Sequence, residues 1–78
     1  MLLEDLRARF EAAGHTVSAR DDVDVRAAAW FTSYAIGTLA NRRSEGKPPA
    51  YVPLPCGPRY PITGLVEFVE SLVRNRFA

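Results

Sequence analysis

The chain has no means of stapling itself together. Cys56 is its only cysteine and His15 its only histidine, so an intramolecular disulfide is excluded and no Cys/His cluster exists to hold a structural zinc. Cys56 has no neighbouring histidine to activate it. It reads as a buried or turn cysteine, and His15 as a residue without a metal or catalytic role. No spacing of acid, base and nucleophile is present, so neither an enzyme nor a cofactor is expected. No apolar run approaches the ~18 residues of a membrane span. Met1-Leu2-Leu3-Glu4-Asp5 lacks the basic-then-apolar layout of a signal peptide. These absences predict a soluble protein of the reducing cytoplasm.

Charge is scarce as well, with a net of only +1, until it is divided along the chain. Residues 1–24 carry three arginines against six carboxylates, a net of −3, whereas residues 25–63 carry Arg26, Arg42, Arg43, Lys47 and Arg59 against Glu45 alone, a net of +4. The positive charge is therefore a modest central patch, short of a basic domain of pI above ~9. With 78 residues there is room for one domain, 1–78, and one core. A chain of this length buries only about 60% of its unfolded surface, so its stability is expected to be marginal.

Leu2, Leu3, Leu6, Phe10 and Ala13 recur at helical spacing, with Glu4 and Asp5 where the helix dipole favours negative charge. The spacing predicts a helix over 2–13, ended by Gly14. His15-Thr16-Val17-Ser18 reads as extended and Arg20-Asp21-Asp22-Val23 as a polar link. Asp24 is an expected N-cap, with its carboxylate taking the amide of Arg26 or Ala27. A helix then runs from Val25 to at least Thr32. Ala28, Phe31, Ala35 and Leu39 fit both a bent pair of helices and a single rod to Arg43. No proline intervenes, and Gly37 alone is a weak break costing about 1 kcal/mol. Periodicity leaves the two open.

The organising segment is Gly37-Thr38-Leu39-Ala40-Asn41-Arg42-Arg43-Ser44-Glu45-Gly46, a short basic helix stopped by glycine. Two short helices joined tightly, the second carrying adjacent arginines, can lay a helix against a nucleic-acid groove. All six prolines lie between 48 and 61. Pro53 and Pro55 point their missing amides to one side of a strand, leaving Val52, Leu54 and Cys56 to pair on the other. Cys56-Gly57 can turn and Arg59-Tyr60 return. Thr63 reads as the N-cap of a last helix whose apolar face is Leu65, Phe68, Val69, Leu72 and Val73, with Arg74 and Arg76 at its end. Two segments here match a proline-x-x-proline ligand formally, but this stretch is needed to connect two helices.

Taken in order, Ala28-Ala29, Thr38-Leu39, Arg43-Ser44-Glu45-Gly46, Pro49-Ala50-Tyr51-Val52, Arg59-Tyr60 and Leu65-Val66-Glu67-Phe68 resemble the excisionase and MerR-like winged-helix family of small phage and bacterial DNA-binding proteins. The resemblance covers residues 24–73. It implies a mainly α fold: a small winged helix-turn-helix domain with an extra N-terminal helix over 1–20 and a short, Pro-rich β-hairpin wing. It further implies a recognition helix at 36–44 in the major groove and a wing at 52–60 on the backbone. Thr38, Asn41, Arg42 and Arg43 would then face DNA, with Lys47 and Arg59 on phosphates. Three positions depart from the pattern: Ser33 replaces the turn glycine, Ala35 the N-cap serine and Arg42 the helix tryptophan.

The leading expectation is thus a binder of double-stranded DNA, either an excisionase-like recombination directionality factor or a small transcriptional regulator. With about five cationic contacts, its non-specific binding would be weak and salt-sensitive. It would then act as a homodimer or cooperative assembly, or beside a recombinase or polymerase. The alternative is a small helical protein-interaction module, phage-encoded, that binds and modulates a host protein. Trp30, Phe31 and Tyr34 are expected in the core, since a small domain must bury its aromatic area. Exposure of Trp30 would favour the alternative.

Overall fold

A computed structural model describes residues 3–77. Leu2 and the side chain of Arg76, which the sequence places on the first and last helices, lie outside what it describes. Four helices and three strands follow in the order α1 (Leu3–Ala12), β1 (Asp22–Val23), α2 (Val25–Thr32), α3 (Ile36–Ser44), β2 (Val52–Leu54), β3 (Gly57–Pro61) and α4 (Ile62–Phe77). The fold is mostly helical, with a small antiparallel sheet in the order β1-β3-β2.

Glycine ends α1 and α3 in the same way. At α1, the amides of Gly14 and His15 donate back to the carbonyls of Glu11 and Phe10, at 3.0 and 2.9 Å. At α3, Gly46 and Lys47 donate to Arg43 and Arg42, at 3.2 and 2.8 Å. Both are reversing caps that need a left-handed residue, and Gly14 (φ 90) and Gly46 (φ 72) supply it. At the start of α2, the Asp24 carboxylate accepts the Ala27 amide at 2.9 Å, as its sequence position suggests.

The rod-or-pair question is resolved in favour of the pair. Ser33 takes a left-handed conformation (φ 63, ψ 19) and separates α2 from α3. The corner is stitched by its neighbour Thr32, which is buried. The Thr32 hydroxyl donates to the Ala28 carbonyl at 2.8 Å and accepts the Tyr34 amide at 3.3 Å. A side chain with a Cβ costs roughly 1 kcal/mol in this conformation. Ser33→Gly should therefore raise the unfolding free energy by about 1 kcal/mol, read as a higher urea midpoint, and an unchanged or lower midpoint would show the corner to be unstrained. Ala35 starts α3 without any side-chain cap.

Ala27 and Ala28 are fully buried, and their small side chains let Leu39 of α3 pack into the core with Phe10, Val23, Tyr60, Ile62 and Leu65. The hairpin accommodates its prolines by register. Pro53 lies opposite Pro58, between the pairs Val52–Arg59 and Leu54–Gly57. Opposed antiparallel residues alternate between bonded and unbonded pairs, so two prolines in one unbonded pair cost the ladder nothing. Pro55 and Cys56 form the tip, and Gly57 leaves it at φ 125.

Three expectations are corrected. The segment read as a polar link contributes strand β1, with Asp22 opposite Pro61 and Val23 opposite Tyr60. Thr63 is not a cap, because α4 begins at Ile62, whose amide is already taken by the Asp21 carbonyl at 2.9 Å. Trp30 is not in the core but 47% exposed, because the buried side of α2 is filled by Ala27, Ala28 and Thr32.

Candidate nucleic-acid interface

Helix α3 has two sides of different character. Leu39 anchors it, while Ile36, Gly37, Thr38, Asn41, Ser44 and Glu45 are exposed. At 100° per residue, Gly37, Asn41 and Ser44 form the middle of the solvent face, with Thr38 and Glu45 along one edge. Thr38 and Asn41 therefore stand together in water, three residues apart on adjacent turns.

Both arginines lie to the flanks of this face and are half-buried. Arg42 lies against an edge-to-face pair of rings, its guanidinium carbon 5.6 Å from the centre of Tyr34 and 5.2 Å from that of Phe68. Its Nε donates to the Pro48 carbonyl, which ties the connection after α3 to the helix. Arg43 donates to the Tyr60 hydroxyl at 2.6 Å and lies 5.9 and 6.0 Å from the ring centres of Tyr51 and Tyr60. These contacts pin α3 to the hairpin. The two arginines thus carry packing work that the sequence did not anticipate.

Arg59 departs further from expectation. The hairpin tip is Pro55-Cys56, whereas Arg59 lies back in β3 with its side chain only 20% exposed. Its Nε donates to the Asp22 carboxylate at 2.9 Å and its Nη2 to the Asp22 carbonyl at 3.2 Å. Arg59, expected on a phosphate, is thus held by a buried carboxylate within the fold.

That carboxylate is a hub. Asp22 Oδ1 also accepts the Ser18 hydroxyl at 2.7 Å, and Arg20 Nε lies 3.4 Å from Oδ2. Beside it, Arg7 of α1 donates to the Ser18 carbonyl at 3.0 Å and pairs with Asp21. Burial by itself would raise the Asp22 pKa. The bonds from Ser18 and Arg59 and the charges of Arg20 and Arg59 outweigh it and hold the carboxyl below its ordinary 3.8. The cluster joins α1, β1 and β3, and so fixes the base of the hairpin against the helices.

Of the six residues expected on DNA, Thr38 and Asn41 share the open face of α3 and Lys47 is exposed beyond its end, 3.7 Å from Glu45. Arg42, Arg43 and Arg59 are engaged within the fold. Arg26, outside the expected set, is exposed at the start of α2, and its place in the basic segment is the sequence signal for it. Gly37, expected only as a weak helix break, lies within α3 on its exposed side. Among the described residues, no helix is long and apolar enough to cross a membrane, and no group of three or more His, Cys, Asp or Glu side chains is placed to hold a metal ion. No family model, curated protein or solved structure matches the chain.

Proposed function

We propose that this protein is a small winged-helix DNA-binding protein of the excisionase or small-regulator kind, with α3 as its recognition helix. The observation that carries the reading is the corner at Ser33. It frees a second short helix with an exposed polar face, directly followed by a two-stranded hairpin braced against it through Arg43 and Tyr60. A helix presented in this way suits the major groove, and a hairpin beside it suits the flanking backbone. The sheet order β1-β3-β2, with a helix before β1 and the helix pair between β1 and β2, supports the same architecture.

The electrostatics call for a weak binder. With three arginines engaged internally, Arg26 and Lys47 are the exposed cations of the basic middle segment. A fluorescence anisotropy titration against a mixed-sequence duplex should give a log–log salt slope of roughly −2. Lys47→Ala should make that slope shallower by about one. Absence of affinity for any duplex at low salt would end this reading.

A second reading, a module that binds another protein, is favoured by one observation. Trp30 stands 47% exposed, edge-on to Phe10 at 5.3 Å and beside His15 at 5.4 Å. As the only tryptophan in the chain, it distinguishes the two. Its emission should shift to the blue on adding a protein that covers it, and remain unmoved by duplex bound at α3.

A further inference from the structure

The face that α3 offers to solvent lacks free arginine, although the helix contains two. Arg42 packs against Tyr34 and Phe68, and Arg43 is bonded to Tyr60. The guanidinium fork that reads guanine through two acceptors is therefore directed away from the middle of the face. What remains there is Gly37, Thr38, Asn41 and Ser44, none of them charged. Glu45 stands at the far end of the helix, near Lys47.

Gly37 is the second observation. A Cβ built on it would meet nothing within 4 Å, and its φ is not left-handed. The fold gains nothing from a glycine here, and a helix is weakened by one. A glycine on an open helix face leaves room for something outside the protein to come close to the backbone. It lies on the same side of the helix as Asn41, one turn away.

We propose that the face made by Gly37, Thr38 and Asn41 reads adenine–thymine pairs rather than guanine. Asn41 would hold an adenine edge by a bidentate bond, Thr38 would lay its methyl against the thymine methyl, and Gly37 would leave room for the strand. This rests on the DNA-binding reading and narrows it. Asparagine matches adenine because its amide donates and accepts side by side, facing the acceptor and donor of the adenine major-groove edge. Threonine offers a methyl at the distance of one turn.

The test is selection of duplexes from a random pool by the full chain at low salt, followed by base analogues in the selected site. The expected motif contains adenine–thymine pairs. Replacing the contacted adenine by an analogue without its ring-nitrogen acceptor should weaken binding about five- to a hundred-fold. The same analogue should have little effect on Asn41→Ala, which has already lost the contact. Thymine-to-uracil replacement should weaken the parent but not Thr38→Ser. Gly37→Ala should bind DNA less tightly while melting a few degrees higher, a pair of opposite signs that damage to the fold would not give. A guanine-rich motif that disappears in Arg42→Ala or Arg43→Ala would overturn the proposal and leave DNA binding standing. So would retention of duplexes without any motif. Failure to retain duplex of any kind would remove both.

Discussion

Replacing Asp22 by asparagine is expected to destabilise the protein by about 3 kcal/mol, the low end for a broken buried ion pair, because Arg59 keeps a fifth of its side chain in water. Asparagine has the same shape but presents an amide donor on one side of the site. Ser18, Arg20 and Arg59 are all donors, so one of them must face a donor. A chain of this length has on the order of 4–12 kcal/mol of stability in total. The loss should lower the melting temperature by roughly 12–24 °C, read by circular dichroism. Pairing Asp22→Asn with Arg59→Met should recover part of it, since both singles remove the same contact. A strictly additive double variant would show the pair to be uncoupled.

The same carboxylate gives the protein a dependence on acid. Its pKa is held below 3.8 in the folded state, so the stability it supplies is complete above that value and is lost as pH falls through the lower, folded one. Unfolding of the parent should steepen in that acid range. Asp22→Asn, having no carboxyl there, should lose less over the same interval. Parallel acid curves for parent and variant would contradict the assignment.

Phe10→Ala should be worse still, at about 3–5 kcal/mol. Phe10 is fully buried, stacked on Phe31 at 5.3 Å and 29° and meeting Trp30 edge-on at 5.3 Å. The ring is where α1 enters the common core, so its removal leaves a cavity between α1 and α2 rather than a loose surface helix. The variant should lose its sharp melting transition at ordinary temperature, and Trp30 emission should move to the red. A cooperative melt with unshifted emission would mean that α1 is dispensable to the fold.

Much of the architecture was legible because its signals are local. The apolar spacing of Leu3, Leu6 and Phe10, the Asp24 cap and the glycines at 14 and 46 each act within one or two helical turns. The two-residue strand β1 was missed because nothing in Asp22-Val23 alone marks a strand. Its pairing is supplied by Tyr60 and Pro61, far along the chain. The corner at Ser33 was ambiguous because the residue that stitches it, Thr32, reads like an ordinary helical threonine.

At the proposed interface the division is sharper. Thr38 and Asn41 could be placed on an exposed helix side from spacing alone, since the helical period decides which neighbours they share. Whether an arginine is available could not, because an identical guanidinium binds whatever ring or carboxylate the fold brings to it. The sequence by itself determined the helix-forming segments, the glycine stops at 14 and 46, the proline-laden hairpin and the basic middle, but left the break between α2 and α3 open. Only the tertiary structure decided that Arg42 and Arg43 brace aromatic rings, and that Arg59 answers a carboxylate 37 residues away. A charge's partners are set by distances through space, and residue order does not fix those distances until the chain has closed on itself.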